Sequence, residues 1–271
     1  MRIVTFSLNG SIQHGVRNGD RIRLHPSATS AVELAMNAAQ HPAGEEIGID
    51  QVELLAPVPR PGKVICIGLN YGAHAAEGGN AVPDYPAVFL RGPTSLVGPA
   101  AAIILPACSD KLDFEAELAV VIGKTATNVR ENPLDYVAGY ACFNDATIRD
   151  YQRKTTQWTV GKNFDQTGGF SADLVTPDEL PAGASGLRIQ SRLNGQIMQD
   201  SNTGDLIFDV ATLITTLSEA MTLEPGDVIA TGTPSGVGYA RTPPVFMREG
   251  DVIEIEIDQI GTLSNRIARR A

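Results

Sequence analysis

The chain has 271 residues, 43% of them hydrophobic and 19% charged, an ordinary globular composition that excludes disordered, collagen-like and coiled-coil proteins. Its 21 basic and 31 acidic residues give a net charge of −10, so neither nucleic acid nor an anionic membrane is expected as a partner. No run approaches the ~20 apolar residues of a membrane helix, and the start MRIVTFSLNG has no signal-peptide pattern, which reads as a soluble, cytoplasmic protein.

Residues 2–24 hold three β-rich runs, Arg2–Ser7, Ser11–Val16 and Arg21–Leu24, separated by the hairpin-forming dipeptides Asn9-Gly10 and Asn18-Gly19. Ala28–Gln40 follows with Ala31, Leu34, Ala35 and Ala38 at helical spacing behind Ser27 or Thr29 as cap. This predicts a small N-terminal α+β domain over residues 1–56, with the proline-rich stretch 57–62 as a linker. Beyond it, residues 63–271 show apolar β-type runs at Lys63–Leu69, Ala87–Leu90, Leu118–Ile122, Leu187–Leu193, Asp227–Ala230 and Asp251–Ile257. Helical patterns are fewer, chiefly Thr147–Lys154 and Ile207–Ser218, and do not alternate with strands as a doubly wound sheet or a (βα)8 barrel requires. The fold class is therefore α+β and β-rich, a roll or sandwich with helices outside. Cys66, Cys108 and Cys142 lack metal-binding spacing and read as reduced core residues.

Five constellations carry chemistry. In Asp113-Phe114-Glu115-Ala116-Glu117-Leu118, strand alternation places Asp113, Glu115 and Glu117 on one face and Leu118, Val120 and Ile122 on the other. Three like charges call for a hard cation bound through oxygen, Mg²⁺, Mn²⁺ or Ca²⁺, unless the strand is simply solvated. A helix starting at Asn144 or Asp145 would project Arg149 and Gln152 from one face toward a carbonyl or carboxylate; the alternative reading makes Asp145 only its cap and Arg149 only a partner for Asp145 or Asp150. Lys162, in the apolar context of Val160-Gly161, reads as an anion or enolate stabiliser, or else as a snorkelling surface lysine. His74 and Glu77 at i, i+3 form a candidate water-activating pair on a glycine-flanked segment able to act as a lid. Thr231-Gly232-Thr233-Pro234-Ser235-Gly236 is a glycine-rich turn that can offer backbone N–H groups to an anion. His14, His25 and His41 have no such acidic neighbour and read as surface histidines.

Together these segments resemble the fumarylacetoacetate hydrolase family, in order from Lys63 to Ile267. The carriers are Gly68-Leu69-Asn70-Tyr71 with His74 and Glu77, Asp113–Leu118, Asn144-Asp145 through Gln152, Lys162–Asp165, Leu193-Asn194-Gly195, and Gly226-Asp227 with Thr231–Gly238. The resemblance implies the family's mixed β-roll core and a homodimer. It implies Mg²⁺ or Mn²⁺ on Glu115, Glu117 and Asp145, leaving Asp113 outside the triad. It also implies substrate contacts from Tyr71, Arg149, Gln152, Lys162, Gly232 and Thr233, and catalysis by His74, Glu77 and Lys162. The implied activity is hydrolysis of a C–C bond in an acylpyruvate or related diketo acid, of the kind met in aromatic or sugar-acid degradation. The alternative is decarboxylation, isomerisation or dehydration of a 2-oxo acid such as oxaloacetate on the same metal. Asn70 stands where some members carry a fourth carboxylate ligand, and the His74–Glu77 pair favours hydrolysis.

Overall fold

The computed structural model describes residues 1–99 and 101–269. One large sheet runs, edge to edge, through Glu46–Gly48, Arg21–Leu24, Ser11–Asn18, Arg2–Leu8, Asp173–Val175, Val137–Asn144, Ala116–Ile122, Val228–Ala230, Val64–Gly68 and Ala87–Arg91. A second sheet orders Gln196–Asn202, Arg188–Leu193, Val252–Ile257, Gly261–Arg269 and Ile103–Leu105. The β-rich α+β class follows directly from these two sheets.

Alternation explains how they pack. Leu118, Val120 and Ile122 share a core with Ile253, Ile255, Ile257, Leu263 and Ile267 of the second sheet. Ala119 and Val121 face the opposite way and pack with Ala31, Val32 and Leu34 of the helix Ala31–Asn37. Both faces of Ala116–Ile122 are thus covered, and all seven of its residues are buried.

The N-terminal meander forms, and its first turn has Asn9 and Gly10 at φ 52° and 80°, the left-handed pair a type I′ hairpin needs. The meander does not stand as a separate sheet. Arg2, Ile3 and Val4 pair antiparallel with Val175, Leu174 and Asp173, which stitches it into the main sheet.

Several local expectations are corrected. The first helix is capped by Ser30, whose side chain accepts from the Glu33 N–H, rather than by Ser27 or Thr29. Asn144 ends a strand instead of opening a helix. Thr147–Ile148 then pairs with Leu112–Asp113, and the helix is the single turn Arg149–Gln152. The acidic run is not one continuous strand, because the chain leaves strand geometry at Phe114 and Glu115. His14, His25 and His41 are buried, not superficial, and bond to Thr5, the His41 carbonyl and Ser27 respectively. Cys66 and Cys142 are buried as expected, whereas Cys108 is exposed. Among the described residues no helix is long and apolar enough to cross a membrane.

Candidate active site

Antiparallel register builds the acidic centre. Ala116 pairs with Asn144, so Glu115 and Asp145 stand side by side just past the strand ends, where the Asp145 N–H donates to the Glu115 carbonyl at 3.0 Å. Glu117, on the strand Ala116–Ile122, turns its carboxylate to the same point. Glu115, Glu117 and Asp145 are all buried, and one carboxylate oxygen from each lies within 4.8 Å of the others. Asp113 stands apart from this triad. It accepts the Gly238 and Tyr239 N–H groups at 2.8 and 3.0 Å and pairs with Arg149 Nε at 2.7 Å.

Three buried cations surround the carboxylates. Lys162, at the end of the short helix Thr159–Lys162, places Nζ 2.6 Å from both Glu115 Oε2 and Asp145 Oδ2. Arg149 Nη2 sits 2.6 Å from Glu115 Oε1, and its Nη1 donates to Gln152 Oε1 at 2.9 Å. Arg91 donates through Nη1 to Asp145 Oδ1 at 2.6 Å and through Nη2 to Thr167 at 2.9 Å. Burial by itself would push the Glu115 carboxyl up, but Lys162 and Arg149 outweigh it and hold the group down at about 2. Burial likewise opposes the Lys162 charge, yet Asp145 and Glu115 leave its ammonium above the ordinary lysine value.

Glu117 is the exception. Its carboxylate accepts the Gly232 N–H at 3.0 Å, and among the described residues no cation lies in ion-pair contact with it. Burial, then Asp145 and Glu115, drive its pKa well above the ordinary carboxylate range. A buried acid left without a counter-charge, beside two further carboxylates and no thiolate or imidazole, fits a hard divalent cation of the Mg²⁺ or Mn²⁺ type.

The cavity beside the triad measures about 260 Å³ and is lined by Glu115, Glu117, Asp145 and Lys162 among others. Arg149, Gln152, His74 and Thr233 also line it, which brings together most of the residues singled out in the sequence. His74 lies on the helix Gly72–Glu77, with Nδ1 3.3 Å from Glu77 Oε2, and Glu77 Oε1 accepts the Gly236 N–H at 2.9 Å. Tyr71 is not brought to the cavity: it is 1% exposed and absent from the lining, and among the described residues its hydroxyl has no hydrogen-bond partner. Gly232 acts through Glu117 instead of lining the cavity. Asn70 is fully used in the scaffold, its amide donating to the Thr231 and Phe208 carbonyls and accepting the Phe208 N–H.

Sequence reasoning missed Arg91, Gln199 and Tyr239. Arg91 left one signal, a lone charge closing the apolar run Ala87–Leu90. Gln199 joins the Ala116 N–H, Thr233 Oγ1 and the Pro234 carbonyl, tying the second sheet to the site.

Three buried carboxylates able to share one divalent ion, set in a two-sheet core, are the signature the site offers for comparison. Residues 63–268 match the family model described as Fumarylacetoacetate (FAA) hydrolase C-terminal, and residues 1–57 match one described as Rv2993c-like, N-terminal. The chain belongs to the fumarylacetoacetate hydrolase family. Oxaloacetate tautomerase YisK of Bacillus subtilis is 41% identical over 266 residues, spanning 96% of this chain and 87% of that protein. Fumarylacetoacetate hydrolase (EaFAH) from Exiguobacterium antarcticum superposes with a TM-score of 0.89 at 35% identity, each chain covered in full. The 5-carboxymethyl-2-hydroxymuconate delta-isomerase of Mycobacterium smegmatis does so with a TM-score of 0.85 at 33% identity, again over both full chains.

Proposed function

We propose that this chain interconverts the keto and enol forms of a small 2-oxo acid of the oxaloacetate type, using Mg²⁺ or Mn²⁺ held by Glu115, Glu117 and Asp145. The observation that carries this reading is His74 in the wall of the cavity that also contains the triad and Lys162. Resemblance to an oxaloacetate tautomerase and to a delta-isomerase supports tautomerisation over C–C hydrolysis as the main activity.

A divalent ion held by Glu115, Glu117 and Asp145 would supply Lewis-acid polarisation of the 2-oxo group. The chain's own residues do the rest. Glu77 occupies His74 Nδ1, which leaves Nε2 as the ring nitrogen for proton transfer. In the keto-to-enol direction Nε2 takes a proton from carbon 3, the electron pair forms the C2–C3 double bond as the carbonyl π pair moves onto oxygen 2, and the imidazolium gives the same proton to oxygen 2, returning His74 to its neutral form. No atom is lost and no covalent enzyme intermediate is required. The Lys162 ammonium and the Arg149 guanidinium steady the negative charge that develops on oxygen. Gln152, held by Arg149, presents its amide to the same space.

Hydrolysis of an acylpyruvate is the second reading, because the same imidazole–carboxylate pair can deprotonate water. The deciding experiment follows the enol absorbance of oxaloacetate with Mg²⁺ or Mn²⁺ present and, in parallel, cleavage of a panel of 2,4-dioxo acids with products identified by mass. Accelerated enol decay without C–C cleavage is the expected result. Cleavage of a dioxo acid with no effect on the oxaloacetate enol overturns the tautomerase reading in favour of the hydrolase.

A further inference from the structure

The cavity wall holds a cation that the site described above does not use. Lys162 is occupied by Glu115 and Asp145, and Arg149 by Asp113 and Glu115. Arg153, one helical turn beyond Arg149, lines the same cavity. Among the described residues its guanidinium has neither an ion pair nor a hydrogen bond, only a cation–π contact, its Cζ 4.3 Å from the Tyr239 ring centroid. Arg149 Cζ lies 4.4 Å from the same centroid, and the Tyr239 N–H donates to Asp113 at 3.0 Å, which fixes the backbone that carries the ring. A guanidinium held over a ring without an ion pair or hydrogen bond keeps its N–H donors for a ligand, and a guanidinium can read a carboxylate with two parallel bonds.

Charge counting leads the same way. Four buried carboxylates (Asp113, Glu115, Glu117 and Asp145) meet three buried cations (Arg91, Arg149 and Lys162), leaving one negative charge. A divalent ion turns that into one positive charge, enough for one substrate carboxylate. A second carboxylate must find its counter-charge elsewhere on the wall, and Arg153 is the unengaged cation there.

We propose that Arg153, braced by Tyr239, determines specificity by binding the distal carboxylate of the substrate, so that the preferred class is the 2-oxo dicarboxylic acids rather than the 2-oxo monoacids. This rests on the 2-oxo-acid reading of the site.

The test uses two non-reacting probes that share an oxalyl end, N-oxalylglycine, which carries a second carboxylate, and oxamate, which does not. Each is titrated calorimetrically into the Mg²⁺-loaded full chain as wild type, Arg153→Gln and Arg153→Lys. Wild type should bind N-oxalylglycine roughly tenfold more tightly than oxamate, the size of a charge-assisted contact at a partly open site. Arg153→Gln should erase that difference while leaving oxamate affinity in place, and Arg153→Lys should restore part of it. In turnover, Arg153→Gln should raise KM for oxaloacetate about tenfold, with the loss falling on KM rather than kcat. Retained discrimination in Arg153→Gln, or equal weakening of both probes, overturns the assignment. Absence of oxaloacetate turnover in a wild type that still discriminates the probes sinks the proposed activity and leaves the role of Arg153 standing. Failure of wild type to bind either probe overturns the 2-oxo-acid reading and this proposal with it.

Discussion

Replacing Lys162 by Met removes the ammonium that bridges Glu115 and Asp145 while keeping a side chain of similar length in the site. With an effective dielectric of about 20, each 2.6 Å contact is worth about 6 kcal/mol of gross attraction, against a desolvation penalty of several kcal/mol for each buried ion. Breaking one side of such a buried pair costs about 3–5 kcal/mol net, since the remaining charges lose their compensation. At roughly 2–4 °C per kcal/mol for a chain of this size, Tm in EDTA should fall by roughly 6–20 °C. The variant should also gain more from metal than wild type does, because a divalent ion replaces the missing charge among Glu115, Glu117 and Asp145. Differential scanning calorimetry of both proteins, in EDTA and in excess Mg²⁺, measures all four values. A Lys162→Met protein that melts with wild type in EDTA, or that gains no more than wild type from Mg²⁺, refutes the idea that the ammonium and the metal compensate the same carboxylates.

Glu117→Gln should lower metal affinity by at least about a hundredfold and, in EDTA at neutral pH, raise Tm above wild type. The sign follows from the direction of its shift: a carboxyl whose folded pKa lies above the ordinary 4.5 costs stability when ionised, so the gain should vanish as the pH drops below that value. His74→Ala should cut kcat by about 10²–10⁴ with metal affinity unchanged in a titration monitored by calorimetry, and a fully active variant excludes His74 as the proton-transfer group. Gly232→Ala tests the turn that holds Glu117. Gly232 sits at φ 106°, and a Cβ there would lie 2.7 Å from the Asn70 Cβ and 3.0 Å from the Ile67 carbonyl oxygen. It should cost about 1–3 kcal/mol in urea unfolding and loosen metal binding, and wild-type behaviour in both would show that the turn does not position Glu117.

The sequence by itself determined the β-rich class, the main strands, the N-terminal meander and the acidic run that supplies Glu115 and Glu117. Those features rest on local rules. Side chains alternate along a strand, Asn-Gly favours a tight turn, and His74 and Glu77 meet because residues three apart lie on one helical turn. Where local patterns were too short, the reading failed. The three residues Asp173–Val175 show no period, yet they join the meander to the main sheet, and the four-residue helix Arg149–Gln152 is below the length at which helical spacing can be recognised.

Only the tertiary structure decided which charges meet. Alternation put Asp113 on the face of Glu115 and Glu117, but the strand breaks at Phe114, and Asp113 turns to Arg149 and the Gly238 and Tyr239 amides instead. Arg91 reaches Asp145 across 54 residues of chain, and Gln199 reaches Ala116 across 83. The buried histidines are the same case, since burial depends on what packs over a side chain and not on its neighbours in sequence. A buried charge is tolerated only where a partner arrives at hydrogen-bond distance, and that arrival is a property of sheet register and packing.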